Sequence, residues 1–165
     1  MLLKRRILAA LVDYLVIVVY ALVLFGITIT LFPLEELSNN NNPIMGQLIG
    51  LLSLTLPVFL YFVLMESSKY KASLGKLALN IKVNSKIGSV LKRNVLKFLP
   101  WEVAHLGVHW MYYYNSETID EPVWLWIALI LPQVIAILYL VSIVYTKGIS
   151  SIYDKFARTS VIIKN

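Results

Sequence analysis

The chain has 165 residues, of which 59% are hydrophobic, with a mean hydropathy of +0.75 and a formal net charge of +6. Soluble domains are about 45–50% apolar, and here the excess falls in long continuous runs, which excludes a soluble globular domain and implies one polytopic membrane domain over 1–165. The bases flank those runs, where membrane orientation and anionic lipid headgroups account for them and nucleic acid does not; the lack of cysteine excludes disulfides and thiolate chemistry.

The first apolar run, 7–32, is interrupted only by Asp13. It is too long for a signal-peptide core of about 7–15 residues and no small-residue cleavage site follows, so it reads as an uncleaved first span. Lys4, Arg5 and Arg6 hold its start in the cytoplasm. The segment 33–43, PLEELSNNNNP, carries Glu35 and Glu36 without a base and is expected to be an external turn. Span two is 44–65, closed by Glu66 at the inner surface. Its Gly46 and Gly50, with Ser53 and Pro57 on much the same side, offer a surface for close helix approach, either within the chain or between two copies.

The loop 66–97 holds eight of the 15 bases, and a cationic loop between apolar runs belongs on the cytoplasmic face. Leu77, Leu79, Ile81 and Val83 alternate with smaller or polar residues, which predicts a short strand. Turn residues at 84–88 then suggest a β-hairpin, with Ser89 capping a helix. In that helix Leu91, Val95, Phe98 and Leu99 oppose Lys92, Arg93 and Lys97, the pattern of an amphipathic helix lying on the inner leaflet. Pro100 ends or bends it.

The run 98–114 is short for a span and contains Glu102, His105 and His109. The acidic segment 115–122 after it reads as external. The next apolar run, 123–145, is a clear span, and the tail 146–165 carries Lys147, Lys155, Arg158 and Lys164, which keep it inside. The expected fold is therefore an all-α membrane bundle of four spans, with both termini cytoplasmic and 98–114 as the third crossing. Aromatic belts fit Trp101 at one end of that crossing and Trp110 with Tyr112, Tyr113 and Tyr114 at the other. The apolar trio 161–163 is expected to pair as a strand with 79–83.

Three pieces carry a family resemblance. RILAALVD runs from Arg6 to Asp13 with Ala9 between; ASLGKLALNIKV covers 72–83, followed by Gly88 and Lys92-Arg93-Asn94; YDKFARTSV covers 153–161. In this order and around matching spans, the chain is similar to the RDD family of bacterial membrane proteins, named for one arginine and two aspartates. The match places those residues at Arg6, Asp13 and Asp154. Two positions depart from the pattern. Ile87 stands where an acid or amide often precedes the loop glycine, and Ser150 and Ser151 stand where bases often precede the second aspartate, leaving Lys147 as the nearest upstream base. The resemblance implies a multi-pass protein of the bacterial cytoplasmic membrane suspected of transport, with cation–proton antiport proposed for some members.

Asp13 is the sharpest single signal, since an acid about two turns into a span is costly unless paired or facing a cavity. Arg6 shares its helical face but lies roughly 10 Å away along the axis. The partner is expected from elsewhere: Lys76, Arg93 or His105. Asp13 then either pins span one to the basic loop or exchanges a proton for a cation. Glu102, His105 and His109, spaced E-x-x-H-x-x-x-H, share one face. They read as interfacial side chains, as a proton relay, or as ligands to a metal, with Asp13 or Glu66 completing the shell. No hydrolytic motif or nucleotide loop occurs, so neither an enzyme nor a cofactor beyond a bound cation is expected. The expected function is small cation/proton antiport, with a homo-oligomer possible. The alternative is a non-catalytic regulatory protein whose loop residues Gly75, Lys76, Lys92 and Arg93 bind a membrane partner or anionic lipid.

Overall fold

A computed structural model of the chain describes residues 1–31 and 42–164. The expected turn at 33–43 therefore lies, up to residue 41, outside the described residues. Among the described residues, three helices are long and apolar enough to cross a membrane: α1 (Leu2–Leu31), α2 (Pro43–Ser67) and α5 (Val123–Tyr145). Between α2 and α5 stand the short helix α3 (Leu74–Ala78), strand β1 (Ile81–Asn84) and the 30-residue helix α4 (Ile87–Ser116). After α5 come α6 (Ile152–Phe156) and β2 (Ser160–Ile163).

Helix α1 starts at Leu2, so Lys4, Arg5 and Arg6 lie within its first two turns instead of ahead of it. Helix α2 opens on Asn42, whose side-chain oxygen accepts the Ile44 and Met45 N–H groups at 3.0 and 3.2 Å, with Pro43 at the first helical position. A π-helical turn interrupts it at Leu51–Thr55, one turn before Pro57.

Prolines inside two of the long helices are put to structural use. Pro57 has no N–H to give the Ser53 carbonyl four residues earlier, and that carbonyl accepts the Tyr20 hydroxyl of α1 at 2.6 Å. Pro100 likewise frees the Leu96 carbonyl, which accepts the Tyr139 hydroxyl of α5 at 3.0 Å. In lipid no water would satisfy such a carbonyl, so the tyrosines tie neighbouring helices at the points where the prolines weaken them.

The expected hairpin does not form. Strand β1 pairs antiparallel with β2, Ile81 opposite Ile163 and Val83 opposite Val161, so the tail supplies the partner strand. The chain leaves β1 directly for α4, which begins at Ile87 with Lys86, not Ser89, at its N-cap. Ile81 and Val161 are fully buried together with Ala9 of α1, and Leu2 and Leu79 pack against them. This small core joins the loop, the tail and the head of α1.

The expected interfacial helix and the run 98–114 are one continuous helix, α4, with Pro100 inside it. Its polar side departs from expectation in part: Lys92 is exposed, but Arg93 is buried. Leu91, Val95 and Leu99 are about half exposed, whereas Arg93 and Asn94 are 1% and 0% exposed. Arg93 turns inward because acids wait there. An apolar outer face costs nothing against lipid, which is as apolar as leucine. The same logic covers α1, α2 and α5, whose outer faces are lined with exposed Leu, Ile and Val.

Candidate functional site

Side chains from α1, α2, α3, α4 and α6 meet in a chain of alternating charges. Arg6 pairs with Asp154 at 2.5 Å, and Asp154 takes Arg93 at 2.6 Å through its other oxygen. Arg93 also pairs with Glu66, which binds Lys76 at 2.8 Å; Lys76 lies 3.8 Å from Asp13. Three bases and three acids alternate, so the row is neutral. All six are buried, at 0–7% exposure.

Every carboxylate in the row is also held by fixed donors. Asp13 accepts the Gly75 N–H at 2.8 Å, the Ser73 hydroxyl at 2.6 Å and the Tyr61 hydroxyl at 3.3 Å. Glu66 accepts the Asn94 amide at 3.1 Å. Asp154 accepts the Thr159 hydroxyl at 3.0 Å and, closing a capping box at the start of α6, the Ser151 N–H at 2.9 Å. Burial alone would push the Asp154 carboxyl up, but the Arg93 and Arg6 guanidiniums outweigh it and hold the group below its ordinary range.

Two glycines let this assembly close. A Cβ on Gly75 would sit 2.1 Å from the Ala9 carbonyl oxygen and 2.9 Å from the Asp13 carboxylate, so α3 can reach α1 only without one. At Gly148 the backbone φ is +91°, and its carbonyl accepts Arg6 at 2.9 Å while a Cβ would meet Leu3 at 2.7 Å. Small residues at Ala9 and Gly75 thus have one physical cause, the contact of α1 with the loop.

Of the expected residues, Arg6, Asp13, Lys76, Arg93 and Asp154 come together here, and Gly75 supplies a backbone donor. Lys76 is the partner found for Asp13; Arg93 and His105 are not. Asp154 pairs with Arg6 and Arg93 and does not use Lys147. Lys92 is exposed on the outer side of α4. Sequence reasoning gave no site role to Tyr61, nor to Ser73, Tyr153 and Thr159 within the quoted motifs; Tyr153 accepts Arg6 at 3.2 Å through its hydroxyl.

Glu102, His105 and His109 lie apart from this row. Among the described residues no three His, Asp or Glu side chains gather as metal ligands, and Asp13 and Glu66, the expected completing groups, are committed elsewhere. His109 instead packs against α2: a Cβ on Gly46 would be 2.7 Å from its Nδ1. The Gly46 and Gly50 surface thus serves packing within the chain. His105 stacks on Trp101, with ring centroids 4.6 Å apart. Glu102 takes the Gln47 amide at 2.8 Å on one oxygen; its Oε1 and the Gln47 Oε1 are both buried without a hydrogen-bond partner among the described residues. Gln47, an amide within the apolar run of span two, was the overlooked signal.

Long apolar helices with lipid-compatible outer faces, tied at one end by buried charges, define a polytopic membrane protein. No curated protein and no solved structure matches the chain. The sequence model of the RDD family matches residues 2–158, nearly all of it, and the chain belongs to that family. Within the matched span Arg6 and Asp154 form a direct ion pair across the sequence, and Asp13 anchors the loop.

Proposed function

We propose that the chain crosses the plasma membrane of a bacterium four times with both termini in the cytoplasm, and that it exchanges a cation for a proton at Glu102. The even number of crossings is supported by the contact of Arg6, near the head of α1, with Gly148 and Asp154, which follow α5. Helix α4, about 45 Å long at 1.5 Å per residue, is long enough to cross beside α5, against which it packs. Bases on the charged end and the acids Glu117, Asp120 and Glu121 beyond α4 agree with a cytoplasmic charged end.

The observation that carries the exchange reading is the contrast among carboxylates. Asp13, Glu66 and Asp154 have both oxygens occupied by fixed bases, hydroxyls and N–H groups, and a group so held has no free face for an incoming ion. Glu102 has one. Its free Oε1 and that of Gln47 are both acceptors, the donor type that a proton or a small hard cation requires. An ionisable side chain at this depth is costly without a role. The sequence-level candidate Asp13 becomes the anchor, and Glu102 becomes the carrier.

The test is proton movement driven by a cation gradient in proteoliposomes loaded with a pH-sensitive dye. Glu102→Gln is expected to abolish it without loss of folded protein. Wild-type rates in that variant, or no cation-driven movement by the wild-type chain, would refute the proposal. The saturation of the other acids favours a second reading, a non-catalytic accessory protein. Its mark is a stoichiometric partner retained on gentle extraction.

A further inference from the structure

Helix α1 packs chiefly on the short helix α3 and meets α2 more loosely, through Tyr20 and Tyr61. The space this leaves is a cleft of about 450 Å³ that reaches from Arg6 and Asp13 on α1 to Leu140 and Ile143 on α5. Its lining has two characters. Arg93 and Lys97 add to Arg6 and Lys76 on the basic side, and Leu11, Leu140 and Ile143 form apolar walls. Leu11 and Leu140 are 59% and 56% exposed, so the cleft opens sideways, through the face that lipid would cover.

A charge count decides what fits. Asp154, Glu66 and Asp13 match Arg6, Arg93 and Lys76 one for one. Lys97 is left over. It makes no hydrogen bond or ion pair among the described residues; its ammonium lies 3.4 Å from the Phe62 ring centroid and 5.4 Å from that of Phe98. Ring faces attract an ammonium but do not neutralise it. A half-buried cation without a counter-ion is costly, and an anion arriving there removes that cost. The Asp13 carboxylate also borders the cleft, but its oxygens are taken by Gly75, Ser73 and Tyr61.

We infer that this cleft binds the singly charged phosphate headgroup of an anionic membrane lipid, with Lys97 as its recognising ammonium and the apolar walls of α1 and α5 receiving the first methylenes of the acyl chains. Charge complementarity sets the sign of the ligand. The apolar walls and the sideways opening select an amphiphile over a free ion. The volume is that of a small-molecule site, about 300–1,000 Å³, enough for a headgroup whose chains run along the exposed helix faces. The inference does not rest on the exchange reading at Glu102.

The test uses the full chain in nanodiscs of equal phosphatidylglycerol and phosphatidylcholine, released into native mass spectrometry. Phosphatidylglycerol is expected to be retained over phosphatidylcholine by about tenfold, the weight of one charge-assisted contact. Lys97→Gln should remove that preference, Lys97→Arg should keep it, and Lys92→Gln, a base on the exposed side of α4, should keep it too. Equal retention of the two lipids by the wild-type chain would overturn the inference, and this result depends on no variant. So would equal loss in Lys92→Gln and Lys97→Gln, which would mean diffuse surface attraction. Displacement of the lipid by excess inorganic phosphate would assign the site to the free ion instead.

Discussion

Replacing Asp154 by Asn tests whether the buried row is held together by charge balance. The change is nearly isosteric and leaves an oxygen that can still accept the Ser151 N–H. Among the described residues, what it removes is the only carboxylate paired with Arg6, which is 6% exposed, and one of the two paired with Arg93, which keeps Glu66. Breaking a buried pair by removing one partner costs about 3–5 kcal/mol, chiefly because the other charge stays buried and unmatched. Arg6 should carry most of that, with a smaller share from Arg93. Removing the terminal pair together leaves Arg93, Glu66, Lys76 and Asp13 as a neutral row of four. Arg6→Met with Asp154→Asn should therefore be more stable than Asp154→Asn alone, although it carries one more substitution. Asp13→Asn should cost less than Asp154→Asn, since Lys76 retains Glu66 at 2.8 Å. The assay is thermal unfolding in detergent micelles, followed by circular dichroism and by monodispersity after heating. If the double variant is no more stable than Asp154→Asn, or if Asp154→Asn costs under about 1 kcal/mol, the charge-balance argument is wrong.

Acidification probes the same group. The folded-state value for Asp154 is depressed, so its contribution is complete above the ordinary carboxylate range and lost as pH falls through the folded value. Unfolding midpoints should hold from neutral pH to about 5 and fall below about 4, with a shallower fall in Asp154→Asn. Gly75→Ala should cost about 3 kcal/mol or more, combining backbone overpacking against Ala9 with a weakened N–H contact to the Asp13 carboxylate; normal expression and stability of that variant would contradict the close approach. Tyr139→Phe leaves the carbonyl of Leu96 without its donor and should cost about 1–3 kcal/mol. Adding Pro100→Ala restores an N–H to that carbonyl and should recover part of the loss. No recovery would mean that the proline is not what freed it.

Long helices, their order and the membrane environment were legible because they depend on composition and run length, which are local. The strand at Ile81–Asn84 was legible only from the second half of the 77–83 alternation, since Leu77 and Ala78 lie in helix α3, and its pairing with the tail from a second apolar trio. The hairpin failed because strand pairing is settled by which apolar face can be buried: Ile81 and Val83 meet Val161 over Ala9, a contact from the two ends of the chain. The burial of Arg93 on α4 has the same origin. An amphipathic pattern states that two faces differ, not which one meets protein, and the acids that draw Arg93 inward come from α2 and α6.

The candidate site divides in the same way. Arg6, Asp13, Lys76 and Arg93 stood out because a charge beside or within an apolar run is conspicuous, and Asp154 only through the family resemblance. Gln47 and Ser73 did not, because an amide or hydroxyl is ordinary until its neighbours are known. The row of amino acids alone determined that this chain lives in lipid, with its bases gathered at one end of its helices, since the cost of hydrating or burying each run is a sum over residues. Only the folded arrangement decided which carboxylates are saturated, which base is left over and which acid keeps an open oxygen. Those are properties of pairs brought together across as many as 148 residues of sequence, and no single position carries them.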